Sequence, residues 1–238
     1  MNFRFGGTLM DDEYAKIMRW WGYHDNVCPA DIRNLCRDAA GEEIVLEVNC
    51  DGGDLMVGNE IYSVLRDYSG RVVAHIQSRS ASASTVAMMG ADEITAEPVA
   101  LVCVHNPTTR AVGDNRKMQG AADSLNACKE IILNAYMGRA RVSKEELSAL
   151  MDRDIFITAE KAVEYGIVDS IREPHEGDVL IVAGTGAVHF PTEKMVAEWR
   201  EMKAREKAEN NAGGEPADQN GELEKKRLLA NAFLAKYR

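Results

Sequence analysis

Four serines crowd into one short segment, and one of them could serve as a nucleophile. Residues 78–92 read SRSASASTVAMMGAD and hold Ser78, Ser80, Ser82 and Ser84 among small and apolar residues. A serine hydroxyl attacks a carbonyl carbon only when a neighbouring base removes its proton, and histidine titrates in the right range for that task. A helix that packs closely against a neighbour also favours Ser and Ala, so the segment alone indicates packing as readily as chemistry.

Three other patterns could complete a site. Residues 48–54 (VNCDGGD) place two glycines after a strand-like run, where main-chain N–H groups can face a ligand because glycine tolerates positive φ. Residues 102–107 (VCVHNP) place His105 at a strand end, and residues 152–158 (DRDIFIT) place an acid just before a capped helix. Each pattern alone also has an ordinary interpretation, as a tight turn, a structural histidine or a solvated acid.

The elements that must position these residues alternate along the chain up to about residue 172. Apolar periodicity predicts strands over residues 44–49, 71–78, 92–96 and 100–104, with a turn at residues 50–53. It predicts helices over residues 55–67, 82–90, 118–140, 144–150 and 159–165, the last capped by Thr158 and ended by Gly166. Strands alternating with helices are typical of an α/β fold with a largely parallel sheet.

The composition changes beyond residue 172, which divides the chain into three predicted parts. Residues 1–172 form the α/β domain. Residues 173–209 form an extension with a short β segment and a charged helix, and residues 210–238 form a flexible linker and a C-terminal helix with an apolar face.

Charge and cysteine content narrow the function classes. The chain has 38 acidic and 28 basic residues, a formal net charge of −10, which argues against a nucleic-acid partner because phosphate binding needs a basic surface. No apolar run is long enough to span a membrane, and the N-terminus has no secretory pattern. The five cysteines are odd in number and lack a C-x-x-C pair, which favours neither a metal site nor a disulfide framework. We therefore expect a cytoplasmic protein.

Taken in order, the four patterns resemble the Clp protease proteolytic subunit (ClpP) family of serine peptidases from about residue 40 to residue 171. Residues 49–53 resemble its Asn-x-x-Gly-Gly turn, and residues 78–82 resemble its nucleophile segment, Gly-x-Ala-Ala-Ser. Residues 104–107 resemble its Ile-His-x-Pro segment, and residues 153–159 resemble its Arg-Asp-x-Phe-x-[Ser/Thr]-Ala stretch. The block AEKAVEYGIVDSI that follows is the most specific match.

The resemblance implies a ClpP/crotonase-like spiral of ββα units with a long handle helix. It implies a catalytic triad in which Ser82 is the nucleophile, His105 the base and Asp154 the acid that orients the base. Ser82 is preferred because it keeps the family's spacing to Asp92 and His105. The oxyanion hole would use the N–H groups of Gly53 and Ala83.

The resemblance also implies how the protein meets its substrate. An extended polypeptide would bind beside the Gly-Gly turn, with Asp54, Leu55 and Met56 as contributors, and no cofactor or metal would be needed. The chains would assemble into a homo-oligomeric ring, such as a double heptamer. The spacing between Ser82 and His105, the unusual N-terminus and the tail favour the phage and prophage branch, whose head maturation proteases trim scaffold and capsid proteins. Whether an AAA+ unfoldase takes part stays open.

Departures from the family pattern leave alternatives open. Ser78 replaces the usual glycine, Arg79 replaces an apolar or amide residue, and Ser80 replaces an alanine. Cys50–Asp51 replace the usual Ser-Pro. A ring-forming scaffold protein that has lost turnover is one alternative, and a housekeeping ATP-dependent Clp subunit is another. An acyl-CoA hydratase or isomerase would share the spiral fold. A signal-peptide-peptidase type of enzyme would need a catalytic lysine, for which Lys117 or Lys129 are available.

Overall fold

One mostly parallel sheet lies at the centre of the computed structural model, which describes residues 1–173. The eight strands of this region are β1 (Asn2–Leu9), β2 (Asn26–Val27), β3 (Ile44–Gly53), β4 (Val72–Ala81), β5 (Glu93–Ala96), β6 (Leu101–Cys103), β7 (Phe156–Thr158) and β8 (Ser170–Ile171). The helices are α1 (Asp12–Trp20), α2 (Pro29–Ala39), α3 (Leu55–Asp67), α4 (Ala83–Met88), α5 (Asn115–Met137), α6 (Lys144–Met151) and α7 (Ala159–Tyr165).

The sheet runs in the order β2-β1-β3-β4-β5-β8, and all of these neighbours are parallel. Near its end, β4 also pairs in parallel with β6, and β6 pairs antiparallel with β7. The carboxyl ends of β3, β4 and β6 therefore meet on one side of the molecule, where α/β folds usually bind their ligands.

The core lies between one face of this sheet and the helices that follow its strands. Alternate residues of β3 are fully buried, including Ile44, Leu46 and Val48, and α3 turns Ile61 and Leu65 inward. Burial of each such side chain contributes about 1.5–3 kcal/mol, so β3 and α3 fix the frame on which the strand ends are held.

The α/β class with a parallel sheet, predicted from the alternation of elements, is confirmed. Helices α3 and α7 begin and end where the sequence predicted. The predicted turn at residues 50–53 is wrong, because β3 continues to Gly53. A register shift at Gly7/Thr8 lets Gly52 and Gly53 pair with Thr8 and Leu9 of β1.

No element is predicted before residue 44, yet four lie there. Strand β1 pairs with β3 along its whole length, and α1 begins at the N-cap Asp11, whose carboxylate accepts from the N–H groups of Glu13 and Tyr14. Beyond Glu173, the predicted extension, linker and C-terminal helix lie outside the described residues.

Candidate active site

A cleft of about 590 Å³ opens at the carboxyl ends of β3 and β4. Seven of the eight residues predicted for the site line it, namely Ser82, His105, Gly53, Ala83, Asp54, Leu55 and Met56. The eighth, Asp154, is exposed and does not line it. The remaining walls of the cleft come from α4, from α5 and from the loop after His105.

Ser82 lies on the sharp turn between β4 and α4. Its φ of 57° and ψ of −132° are sparsely populated for a residue with a side chain, so the surrounding structure must hold the turn in place. The main-chain N–H of Ser82 donates to the carbonyl of Cys103 at 3.0 Å, which ties the turn to the end of β6. The turn presents Ser82 to the cleft.

The other three serines of the segment have different surroundings. Ser80 and Ser84 are fully buried, and their hydroxyl oxygens lie 2.9 Å apart in a mutual hydrogen bond. Ser78 is exposed on β4 and does not line the cleft. Of the four serines, Ser82 alone borders the cleft in the described part of the chain.

The paired glycines allow the end of β3 to approach this turn. A Cβ atom on Gly52 (φ +87°) would lie 2.6 Å from the Cβ of Ser82, and one on Gly53 (φ +146°) would lie 2.2 Å from the carbonyl oxygen of Leu9. Both positions therefore need glycine. Ala83, the first residue of α4, has a main-chain N–H that helix geometry leaves without an intrahelical acceptor. Gly53 and Ala83 thus bring two main-chain segments to the cleft beside Ser82.

A buried relay of two hydrogen bonds, through Thr85 and Tyr136, supports the Ser82 turn. The Thr85 hydroxyl donates to the Ser82 carbonyl at 2.5 Å, and the Tyr136 hydroxyl oxygen lies 2.6 Å from Thr85 Oγ1. Because the single Thr85 proton is committed to Ser82, the Tyr136 hydroxyl must be the donor to Thr85. Burial raises the pKa of Tyr136 well above its usual value, so it stays protonated as a donor. Helix α5 is thereby tied to the Ser82 turn.

His105 and Asp154 each lie two residues beyond the last pair of the short β6–β7 ladder. The antiparallel register ends at Cys103 and Phe156, and Asp154 leaves the strand conformation with a φ of +48°. Two causes raise the pKa of the Cys103 thiol on this ladder. The larger is burial, and the smaller is the negative charge of Asp154. Asp154 is thus exposed, lies outside the cleft lining and is close enough to influence Cys103.

The histidine itself is held by its neighbour. His105 Nδ1 lies 2.7 Å from the carbonyl oxygen of Asn106. Within residues 1–173, no hydrogen bond joins His105 to Ser82 or to Asp154. Catalytic hydrogen bonds are often long in ligand-free enzymes and shorten when substrate binds.

Contacts among Asn106, Lys129 and Asp152, beside the histidine, were not predicted from the sequence. Asp152 Oδ1 accepts hydrogen bonds from Asn106 Nδ2 and from Lys129 Nζ, both at 2.8 Å. These bonds, first that from Asn106 and then that from Lys129, hold the pKa of Asp152 below its ordinary value. Lys129 is thus engaged with an acid, and neither Lys117 nor Lys129 lines the cleft, so the lysine-dependent alternative finds no support.

Two departures from the family pattern prove to be partners. Arg79, which replaces an apolar or amide residue, makes a two-pronged contact with Asp51, with Nε 2.5 Å from Oδ1 and Nη2 2.9 Å from Oδ2. The pair is exposed and so adds little stability, but it joins β3 to β4 just before the cleft.

Asp54 has a structural use. Its carboxylate caps α3 by accepting from the N–H groups of Met56 at 2.7 Å and Val57 at 3.4 Å. Leu55 and Met56, together with Val86 and Leu125, give this end of the cleft apolar walls. An apolar side chain would fit between them.

Within residues 1–173, no group of three or more His, Cys, Asp and Glu side chains is placed to hold a metal ion. None of the described helices is long and apolar enough to cross a membrane.

A parallel sheet whose strand ends bring a serine on a sharp turn, paired glycines and a histidine to one cleft has the architecture of an α/β peptidase. The chain belongs to the Clp protease family, whose model matches residues 25–175. The match begins earlier than the predicted residue 40 and takes in β2 and α2.

Curated relatives carry the same family name. The chain is 29% identical over 154 residues to ATP-dependent Clp protease proteolytic subunit 1 of Nocardia farcinica, an alignment that covers 63% of this chain and 77% of the relative. It is 27% identical over 169 residues to the ATP-dependent Clp protease proteolytic subunit of Bacteroides fragilis, covering 70% and 77%. The subunit of Deinococcus radiodurans is 24% identical over 132 residues, covering 55% and 65%.

Proposed function

We propose that the protein is a serine endopeptidase of the ClpP type, with Ser82, His105 and Asp154 as its catalytic residues. The observation that carries this proposal is the Ser82 turn: a strained serine, tied to β6 through Cys103, lines the same cleft as His105 and Gly53. Membership of the Clp protease family supports the same conclusion.

The proposed reaction follows the acyl-transfer scheme of serine peptidases. His105 takes the proton of Ser82 Oγ as this oxygen attacks a peptide carbonyl carbon, and then gives that proton to the leaving amine. The N–H groups of Gly53 and Ala83 stabilise the oxyanion of the tetrahedral intermediate. A water molecule, activated by the same histidine, then hydrolyses the acyl-enzyme. Asp154 contributes negative charge that stabilises the imidazolium.

The proposed substrate is an extended polypeptide that lies along the end of β3. Strand addition reads mainly the peptide backbone, while Leu55 and Met56 offer an apolar contact for one side chain. Asp54 acts through the cap it gives to α3, which fixes the positions of Leu55 and Met56. No cofactor or metal takes part in these steps.

We also propose that the chains form a homo-oligomeric ring, such as a double heptamer, in the cytoplasm. Helix α5 would be the handle between rings, and it exposes Met118, Ile131 and Met137. Such a chamber would admit unfolded chains only. Light scattering on the purified protein measures the assembly, and a monomeric mass would contradict it.

The biological setting proposed is a phage or prophage protease that processes scaffold or capsid proteins. The match to the family starts at residue 25, so β1 and α1 precede it, and the charged segment after residue 175 follows it. A housekeeping ATP-dependent subunit is the second candidate, favoured by the names of the relatives. Degradation of a folded substrate that needs ATP and an AAA+ unfoldase would favour the second candidate. ATP-independent trimming of a scaffold protein would favour the first.

A ring-forming protein without turnover is the third candidate. The observation in its favour is that His105 bonds to the Asn106 carbonyl and to neither Ser82 nor Asp154 in residues 1–173. A fluorophosphonate probe separates it from the peptidase, because the probe reacts only with an activated serine.

The decisive experiment is fluorophosphonate labelling followed by mass spectrometry of the intact protein and its peptides. We expect one adduct on Ser82, no adduct in Ser82→Ala, and strongly reduced labelling in His105→Ala. Labelling that survives in Ser82→Ala, or that falls on Ser80 or Ser84, would contradict the assignment of the nucleophile.

A further inference from the structure

The loop that carries His105 is tied to the body of the protein by a polar tether. Strand β6 ends at Cys103, and the chain then runs without regular structure to the start of α5. Asn106 Nδ2 donates to Asp152 Oδ1 at 2.8 Å, and Lys129 Nζ donates to the same oxygen at 2.8 Å. The tether therefore joins the loop to the end of α6 and to the middle of α5.

This tether also fixes how the Asn106 side chain points. Asn106 Oδ1 is buried and has no hydrogen-bond partner among residues 1–173. If the amide were flipped, Oδ1 would face the Asp152 carboxylate and the NH₂ group would be buried without an acceptor. Only the observed orientation gives an attractive contact with Asp152, and Lys129 neutralises that acid.

The main chain of Asn106 acts directly on the histidine. Its carbonyl oxygen can only accept a hydrogen bond, so the 2.7 Å contact requires the proton of neutral His105 to reside on Nδ1. Nε2 then carries the lone pair that a general base needs. The Asn106 carbonyl thus selects the tautomer of neutral His105 that can act as a general base.

We infer that Asn106, Asp152 and Lys129 are positioning residues that hold His105 in the tautomer and orientation of a general base. The inference rests on the proposed function, since the position of His105 matters to rate only if His105 is the base. The tether is distinct from Asp154, which would act through its charge.

The test measures kcat and KM for a fluorogenic peptide and the rate of fluorophosphonate labelling in purified full-length variants. Asp152→Ala, Lys129→Met and Asn106→Ala should each lower kcat and the labelling rate by about tenfold to a hundredfold, with KM within about twofold, because small misplacements of a catalytic group carry costs of this size. The double variant Asp152→Ala/Lys129→Met should be no slower than Asp152→Ala, and Lys129→Arg should keep most of the activity.

The chain offers a matched control beside the tether. Glu130 follows Lys129 on α5 and pairs with Lys144 at 2.5 Å, an exposed ion pair with no link to the histidine loop. Glu130→Gln and Lys144→Met should leave both rates unchanged. Light scattering accompanies every variant. If Asp152→Ala changes the mass of the assembly, Asn106→Ala, on the loop, carries the test with the same expectation.

Several results would overturn the inference. They are a rise in KM at constant kcat, multiplied losses in the double variant, or an equal loss in Glu130→Gln. Failure of the proposed function looks different, since the wild-type protein would then neither cleave the peptide nor carry the label on Ser82.

Discussion

The two sides of the cleft are built in different ways. On the nucleophile side, Ser82 sits on a strained turn that is held by the carbonyl of Cys103, by the close approach of Gly52 and by the buried Thr85–Tyr136 relay. On the base side, His105 and Asp154 lie just beyond the last paired residues of a three-residue ladder, one partly buried and the other exposed.

This difference shows which groups the fold alone can fix. Main-chain N–H groups and a strained serine need rigid surroundings, because their value lies in being placed before the reaction starts. A histidine that accepts a proton and returns it needs a fixed tautomer, which one carbonyl and a polar tether can supply. The nucleophile side is therefore sensitive to shape, whereas the base side is sensitive to polar partners.

The largest effect is expected for loss of the nucleophile. Ser82→Ala should reduce kcat by about 10⁵–10⁶, as removal of a serine nucleophile does elsewhere, while the unfolding midpoint stays unchanged. The buried pair gives the contrast. Ser80→Ala and Ser84→Ala should each lower the free energy of unfolding by about 1–3 kcal/mol, because the remaining hydroxyl loses its partner, and both should keep the label on Ser82. Peptide hydrolysis and chemical denaturation measure the two effects, and an inactive but stable Ser84→Ala would contradict the assignment.

The second effect tests the shape of the nucleophile side. Gly53→Ala would force a Cβ atom to within 2.2 Å of the Leu9 carbonyl oxygen at a φ of +146°, so the end of β3 must move. We expect kcat to fall by about 10²–10³, the cost of losing one oxyanion donor, together with a lower unfolding midpoint. Gly120→Ala is the matched control. It lies in α5 with no atom within 4 Å of the added Cβ, and it should keep full activity and gain about 0.5–1 kcal/mol of stability. Full activity in Gly53→Ala would exclude its N–H from the oxyanion hole.

The same division explains what the sequence could predict. Helix α7 was predicted to the residue because its signals are local: Thr158 caps it and Gly166 ends it in a left-handed conformation. Ser82 was predicted among the four serines from its spacing, and of the four it alone lines the cleft within residues 1–173. Strand β1 was not predicted because the alternation of polar and apolar residues over Asn2–Phe5 is interrupted by two adjacent glycines. Its pairing with β3 holds it in the sheet.

Polar contacts between residues far apart in the sequence could not be predicted from such local patterns. Asn106 and Asp152 are 46 residues apart, and Lys129 and Asp152 are 23 apart, so no local periodicity joins them. The ion pair between Arg79 and Asp51 was likewise not predicted, because in the sequence the two residues are only separate departures from a family pattern.

The third effect tests the base side. Asp154 is exposed and makes no hydrogen bond to His105 within residues 1–173, so we expect it to act on His105 through its charge in water. Two unit charges about 4 Å apart in water interact by about 1 kcal/mol, so Asp154→Asn should lower kcat by about tenfold or less, with KM unchanged. The loss should shrink at high salt, which screens exposed charges. Steady-state kinetics at low and high ionic strength measure both. A loss of about 10⁴, as for the buried acid of a serine protease, would mean that Asp154 bonds to His105 during turnover.

The smallest effect on activity is expected for the Thr85–Tyr136 relay, which supports the Ser82 turn on the nucleophile side. Tyr136→Phe removes the hydroxyl that donates to Thr85 but keeps the buried ring, and Thr85 can still donate to the Ser82 carbonyl. We expect the free energy of unfolding to fall by about 1 kcal/mol, the usual net value of one hydrogen bond, and kcat to change by less than about twofold. Thr85→Val removes the bond to Ser82 itself. It should lower the labelling rate as well as the stability, because the strained turn then loses one of its supports. If Tyr136→Phe slowed labelling as much as Thr85→Val did, the turn would depend on the whole relay. Helix α5, which carries Tyr136, would then be part of the structure that positions Ser82.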